Sequence, residues 1–269
     1  MRLDKILIIA KKDWKEIFSS KFMFFSLLAT YLIPLIFPTV LIGIITVFQI
    51  DLTRYVTIEE IERLKRIIPT AINLDGIKLF VYIIGVMLTP FLFVIFSLAS
   101  TSIITADSFA GEKERKTIEA LFAAPITDVE LFMGKLMVSF IPSICLTYLF
   151  FTITSIIINF LTYDIFGYLW YPTLEVILLI GLITPLYAFL GMTLVIWGSS
   201  RATSVKDAGN YAGILVIPVV TMFIGVSIGM IAINIFHLWI TILILLLIDI
   251  IVFYLSLKTF NRERIIITV

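Results

Sequence analysis

The 269-residue chain has few side chains that could carry out a reaction. Its single histidine, His237, has no acidic neighbour in sequence, so a metal site or imidazole dyad would lack a second imidazole. Glu59 and Glu60 are adjacent carboxylates, but in a loop outside the apolar stretches. Nucleotide hydrolysis calls for a Gly-x-x-x-x-Gly-Lys-Ser/Thr run whose backbone amides cradle phosphates. The Gly134-Lys135 pair is followed by Leu136, and position 129 is Val129 instead of glycine. These residues predict a chain that is not an enzyme, with no catalytic residue, metal or cofactor of its own.

The charges between Ala110 and Lys135, AGEKERKTIEALFAAPITDVELFMGK, carry a different signal. From Glu112 to Phe122 the spacing predicts a helix in which Glu112 pairs with Lys116 and Arg115 with Glu119, each at i, i+4. Ile118, Leu121 and Phe122 share one face of it, and Pro125 stops it. Thr127 and Glu130 have capping-box spacing and start the next helix. A short helix with a small apolar face between charges of both signs suits a groove on another protein. The competing reading is a linker that touches only lipid head groups.

Composition says what must hold this segment. The chain is 61% hydrophobic and 14% charged, with a mean hydropathy of +1.13, which predicts an all-α integral membrane protein. Six apolar stretches are long enough to cross about 30 Å of hydrocarbon, at about 23–48, 79–104, 136–161, 174–197, 211–233 and 239–257. Fifteen of the 20 Lys and Arg residues fall on one side of this arrangement, which predicts cytoplasmic termini by the positive-inside rule. Net charge is only +1, and no nucleic-acid partner is expected. The first apolar run is too long for a cleaved signal peptide, and the first span is expected to remain.

Residues 1–22 form an amphipathic segment in which Leu3, Ile6, Leu7, Ala10, Trp14, Ile17 and Phe18 recur at helical spacing. That stripe predicts a helix lying in the membrane interface, its apolar face among acyl chains and its lysines at anionic head groups. Spans and loops over 23–257 make the membrane domain, with an external loop at 49–78, a cytoplasmic segment at 105–135, and a tail at 258–269. In the external loop, Thr57 and Glu60 predict a capped helix with Ile61, Leu64 and Ile68 on one face. Prolines interrupt five spans, and each frees a backbone carbonyl. Cys145, alone in span three, is expected to be an inert core residue.

Polar groups inside the spans form two stripes: Tyr148, Thr152, Ser155 and Asn159 on span three, and Ser97, Ser100, Thr101 and Thr105 on span two. They could line a transport path or make interhelical hydrogen bonds. Asp249 is the acidic residue placed well inside the last span, which makes it a further pathway candidate.

The run Glu-x-Glu-Arg-x-x-Thr-Ile-Glu-x-Leu-x-x-x-Pro, followed by Gly134-Lys135, resembles the cytoplasmic signature of permeases in the type-2 ABC exporter family. The layout of the whole chain is similar too, with an amphipathic start, six spans and no fused ATPase. The resemblance implies a coupling helix between spans two and three that enters a cleft on a cytosolic ATPase subunit. It matches here Glu112, Glu114, Arg115, Thr117, Glu119, Leu121 and Pro125, with Ile118 and Phe122 on the apolar face. It also implies ATP and Mg on that partner, a second permease copy or a paralogue, and a multi-pass place in the plasma membrane. The weakly polar spans suggest a hydrophobic or amphipathic cargo. A secondary transporter or channel, and an intramembrane enzyme, are the alternatives.

Overall fold

In the computed structural model, which describes residues 3–114, 126–199, 205–227 and 233–259, every regular element among the described residues is helical. An N-terminal helix, Leu3–Ser19, precedes six helices long and apolar enough to span a membrane. They are Met23–Val47, Gly76–Gly111, Asp128–Phe166, Leu174–Ser199, Val205–Val226 and Ile235–Lys258. The chain is thus a multi-pass, all-α membrane protein. Spans two and three, at 36 and 39 residues, overrun their expected limits on the basic side. At about 1.5 Å per residue they are roughly 54 and 58 Å long, against about 30 Å of hydrocarbon. Hydropathy ends where lipid ends, but helical hydrogen bonding continues into polar sequence. Span five starts earlier than expected and is broken at Ile214 and Leu215, between Val205–Gly213 and Val216–Ser227.

The prolines shape the bundle by the carbonyls they free. In span two, Ile84–Leu88 is a π turn leading into Thr89-Pro90, and in span four Leu179–Ile183 leads into Thr184-Pro185 in the same way. Each threonine hydroxyl donates to the carbonyl five residues back, at 3.1 Å to Ile84 and 2.9 Å to Leu179. A proline also leaves the carbonyl four residues before it without its helical donor. For Pro185 that carbonyl is Gly181, which accepts the Tyr148 hydroxyl of span three at 3.2 Å. For Pro142 it is Val138, which accepts the indole N–H of Trp14 at 3.2 Å.

The N-terminal helix is therefore docked on protein as well as exposed. Ile6, Ile9, Ala10 and Ile17 are buried, while Leu3, Leu7 and Phe18 remain exposed. This corrects the expectation that the whole apolar stripe faces acyl chains, because half of it packs on span three. Gly134 permits the approach: a Cβ there would stand 3.0 Å from Ile9 and 3.3 Å from the Ile6 carbonyl. Trp14→Phe is expected to cost about 1–3 kcal/mol by orphaning the Val138 carbonyl. The cost should shrink in a Pro142→Ala background, where a backbone N–H returns, and a double-mutant cycle by denaturant unfolding checks the coupling.

Tyr31, fully buried in span one, ties the first three spans together. Its hydroxyl meets Ser100 at 2.7 Å and Thr147 at 3.0 Å, and donates to the Ser143 carbonyl at 2.9 Å. Thr147 in turn donates to Ser97 at 3.0 Å. With Ser143, Ile144 and Thr147 turned inward, Cys145 points outward and is exposed, a correction to its expected place in the core.

At the opposite end, the loop at 49–78 folds as expected. Thr57 and Glu60 form the capping box of Ile58–Ile67, and Ile61 and Leu64 pack on the core with Ile67, Ile68 and Ala71. The Thr57 backbone N–H and then its hydroxyl donate to the Glu60 carboxylate and hold its pKa below the ordinary value. The loop between spans three and four lays Trp170 over Gly85, where a Cβ would fall 2.7 Å from the indole ring. Trp170 stacks on Tyr82 and Phe166, with ring centroids 5.1 and 4.8 Å apart.

Candidate functional site

The root of the charged segment is a buried ion cluster built from three elements. The N-terminal helix contributes Lys12 and Asp13. The end of span two contributes Ser108 and Glu112, and the start of span three contributes Lys135. Local rules set up each piece. Thr127 accepts from the Glu130 N–H at 3.2 Å, and Glu130 accepts from the Thr127 N–H at 3.1 Å, so the predicted box starts span three. The helix it starts carries Lys135 inward two turns later. A π turn at Asp107–Gly111 keeps Ser108 and Glu112 on the buried side of span two.

Lys135, 2% exposed, is the centre of the cluster. Its ammonium donates to Glu112 Oε2 at 2.7 Å, lies 3.6 Å from Asp13 Oδ2, and donates to the Ser108 carbonyl and, at 3.2 Å, to its hydroxyl. The Phe109 ring lies beneath it, its centroid 5.0 Å away. The Ser108 hydroxyl donates to Asp13 Oδ2 at 3.2 Å. Lys12 closes the outer side, 3.2 Å from Glu112 Oε1 and 3.5 Å from Asp13 Oδ1.

Among the described residues, two ammoniums face two carboxylates here, with Glu16 also acting on Lys12. Partial burial pulls the Lys12 ammonium down, but Glu112 and Asp13 outweigh that and raise its pKa above the ordinary lysine value. A lysine with a raised pKa stabilises fully below its unfolded pKa of about 10.4, and the contribution fades as pH rises beyond it. Lys12 therefore contributes throughout the physiological range. The geometry fixes three elements against one another.

The sequence-predicted docking residues divide at this point. Glu112 is 4% exposed and turned into the cluster, so it anchors the segment instead of presenting a contact face. Both its carboxylate oxygens meet Lys135 and Lys12; Lys116, its expected partner, lies outside the described residues. Glu114 is exposed and accepts from the Val205 N–H at 3.4 Å, which joins the root of the segment to the start of span five. Arg115, Thr117, Ile118, Glu119, Leu121, Phe122 and Pro125 lie outside the described residues.

The pathway candidates do not come together. Ser97 and Thr101 are fully buried between spans, Ser97 accepting from Thr147 and Thr101 bonding back to the Ser97 carbonyl at 2.7 Å. Tyr148 caps Gly181, and Thr152 and Ser155 donate to carbonyls of their own helix at 2.8 and 2.9 Å. Asn159 brackets Tyr171, accepting its N–H at 3.1 Å and donating to its carbonyl. Asp249 stands apart: it is 4% exposed, and among the described residues neither carboxylate oxygen has a hydrogen-bond partner. Most of the polar groups in the stripes thus bond to carbonyls or hydroxyls of the helices and of the loop after span three, while Tyr148 and Thr152 remain exposed.

Sequence reasoning missed Asp13, Ser108 and the role of Lys135. One signal was visible: Asp13 interrupts the apolar stripe of its helix, three residues after Ala10 and four before Ile17. No protein-family model and no characterised protein matches this chain, so the resemblance rests on its residues and layout.

Proposed function

We propose that this chain is the membrane-spanning subunit of an ATP-driven exporter of the type-2 ABC class, with a separate ATPase docked on the segment after Glu112. The observation that carries the reading is the mechanical root of that segment. Spans two and three project beyond the hydrocarbon as continuous helices and are locked to each other and to the N-terminal helix by the Asp13–Lys135–Glu112 cluster. A push on a segment rooted this way moves three elements together instead of bending a loop. On this reading both termini are cytoplasmic, the protein sits in the plasma membrane, and ATP and Mg belong to the partner. A second copy or a paralogue completes the translocation path.

Affinity purification of the tagged chain from its native membrane in mild detergent, with mass spectrometry and an ATPase assay, tests the reading. A stoichiometric partner with a phosphate-binding loop is the expected result. Recovery of the chain alone across several detergents would overturn it. The unpartnered carboxylate of Asp249 favours one second reading, an ion-coupled transporter. Under that reading Asp249→Asn abolishes transport in a chain that works without any ATPase.

A further inference from the structure

Between spans two, four, five and six lies a cavity of about 260 Å³ that the sequence did not reveal. It is narrower than the roughly 300–1,000 Å³ of pockets that hold compact drug-sized ligands. Its walls include the two π turns that precede Thr-Pro pairs, through Val86 and Met87 of span two and Leu179 and Ile183 of span four. Fourteen of its 17 lining residues are apolar, and the three polar ones are spread along its length. His237 stands at the outer end, in the first turn of the last helix, and Thr241 lies one turn deeper. Tyr187 is 13 residues into span four from Leu174, about 20 Å along that helix. The Thr241 hydroxyl is occupied by the His237 carbonyl at 2.9 Å, so the imidazole is the exposed polar group at the mouth.

A shaft of this kind stays dry and takes apolar matter. Its volume leaves room for one alkyl chain and not two, and Met87 and Met222 can adapt to a flexible one. A chain entering from a bilayer gains no hydrophobic free energy, since lipid tails are as apolar as the walls. Selection must then come from shape and from the head group. We propose that this cavity binds a single-chain amphiphile, its alkyl chain along the shaft and a carboxylate-like, hydrogen-bond-accepting head group at the His237 imidazole. Binding does not depend on the exporter reading. Where that reading holds, the same site defines the class of cargo.

The test uses the full chain in lipid nanodiscs with a diazirine-bearing palmitic acid as probe, and maps photolabelled peptides. Saturable labelling around 219–226 and 237–241, competed by unlabelled palmitate, is expected. His237→Leu should reduce it roughly tenfold, the loss of one charge-assisted hydrogen bond. Val219→Phe, which fills the shaft, should abolish it, and Met222→Phe serves if that variant does not fold. Non-saturable labelling across the exposed faces, or labelling unchanged by the filling substitutions, would overturn the proposal. So would equal labelling by a diazirine phosphatidylcholine, or filling variants that alter only the monomer–dimer ratio, which would mark the cavity as the seat of a second copy.

Discussion

Lys135→Met is expected to destabilise the protein by about 3–5 kcal/mol, because it removes one partner of a buried ion cluster and leaves charge uncompensated. The carboxylates of Glu112 and Asp13 would lose the buried ammonium and keep Lys12, whose side chain is 54% exposed, and, for Asp13, the Ser108 hydroxyl. Denaturant unfolding in detergent micelles measures the loss, and stability equal to the parent's would contradict the burial of the ammonium. Lys12→Ala should cost no more than about 1 kcal/mol, as for other exposed ion pairs. Replacing Asp13, Glu112 and Lys135 together with apolar residues of similar volume should recover most of what Lys135→Met loses, since such exchanges are often neutral. That triple variant separates stability from coupling: on the proposed reading, a stable protein whose three elements no longer move together should fail to transport.

Charge reversal in the docking segment has the second large expected effect. On the proposed reading, Arg115→Glu or Glu119→Lys places a like charge in a desolvated groove, at a cost of about 2–5 kcal/mol, roughly 30-fold to several-thousand-fold in affinity. Co-purification of the ATPase should fall accordingly, while insertion and unfolding of the membrane chain stay at parental values. Glu112→Gln is the contrasting variant, because its carboxylate lies inside the cluster: it should lower stability as well as docking. Unchanged complex formation in both reversal variants would place the docking face elsewhere.

Local features were legible in the sequence, and long-range polar ones were not. Six spans, both capping boxes and the loop helix follow from hydropathy and from spacings of three or four residues, and the structure has all of them. The π turns at Ile84–Leu88 and Leu179–Ile183 each lead into a Thr-Pro pair whose threonine bonds five residues back, yet no periodicity announces them. The partners of Asp13, Trp14 and Tyr31 lie about 70–120 residues away, and hydropathy carries no record of them. Gly209 and Gly213, at four-residue spacing, have nothing within 4 Å of a would-be Cβ. Gly198 carries the close approach instead, with the Tyr211 ring 2.1 Å from its would-be Cβ, because what matters is the ring opposite and not the interval.

The docking of the N-terminal helix also sets an order of events during synthesis. Trp14 must wait for Val138, 124 residues later, and Asp13 for Ser108, 95 residues later. At about 5–20 residues per second that is a delay of roughly 5–25 seconds between the emergence of this helix and that of its seat. During the wait Asp13 and Trp14 lack their distant partners, and the exposed Leu3, Leu7 and Phe18, with Lys11 and Lys15, are what can hold the helix at the bilayer surface. The part of the stripe left exposed in the folded chain is the part available as a tether from the start. A chain with those three apolar residues made polar would finish its spans with the helix still adrift, although nothing in the completed contact between Trp14 and Val138 has been changed.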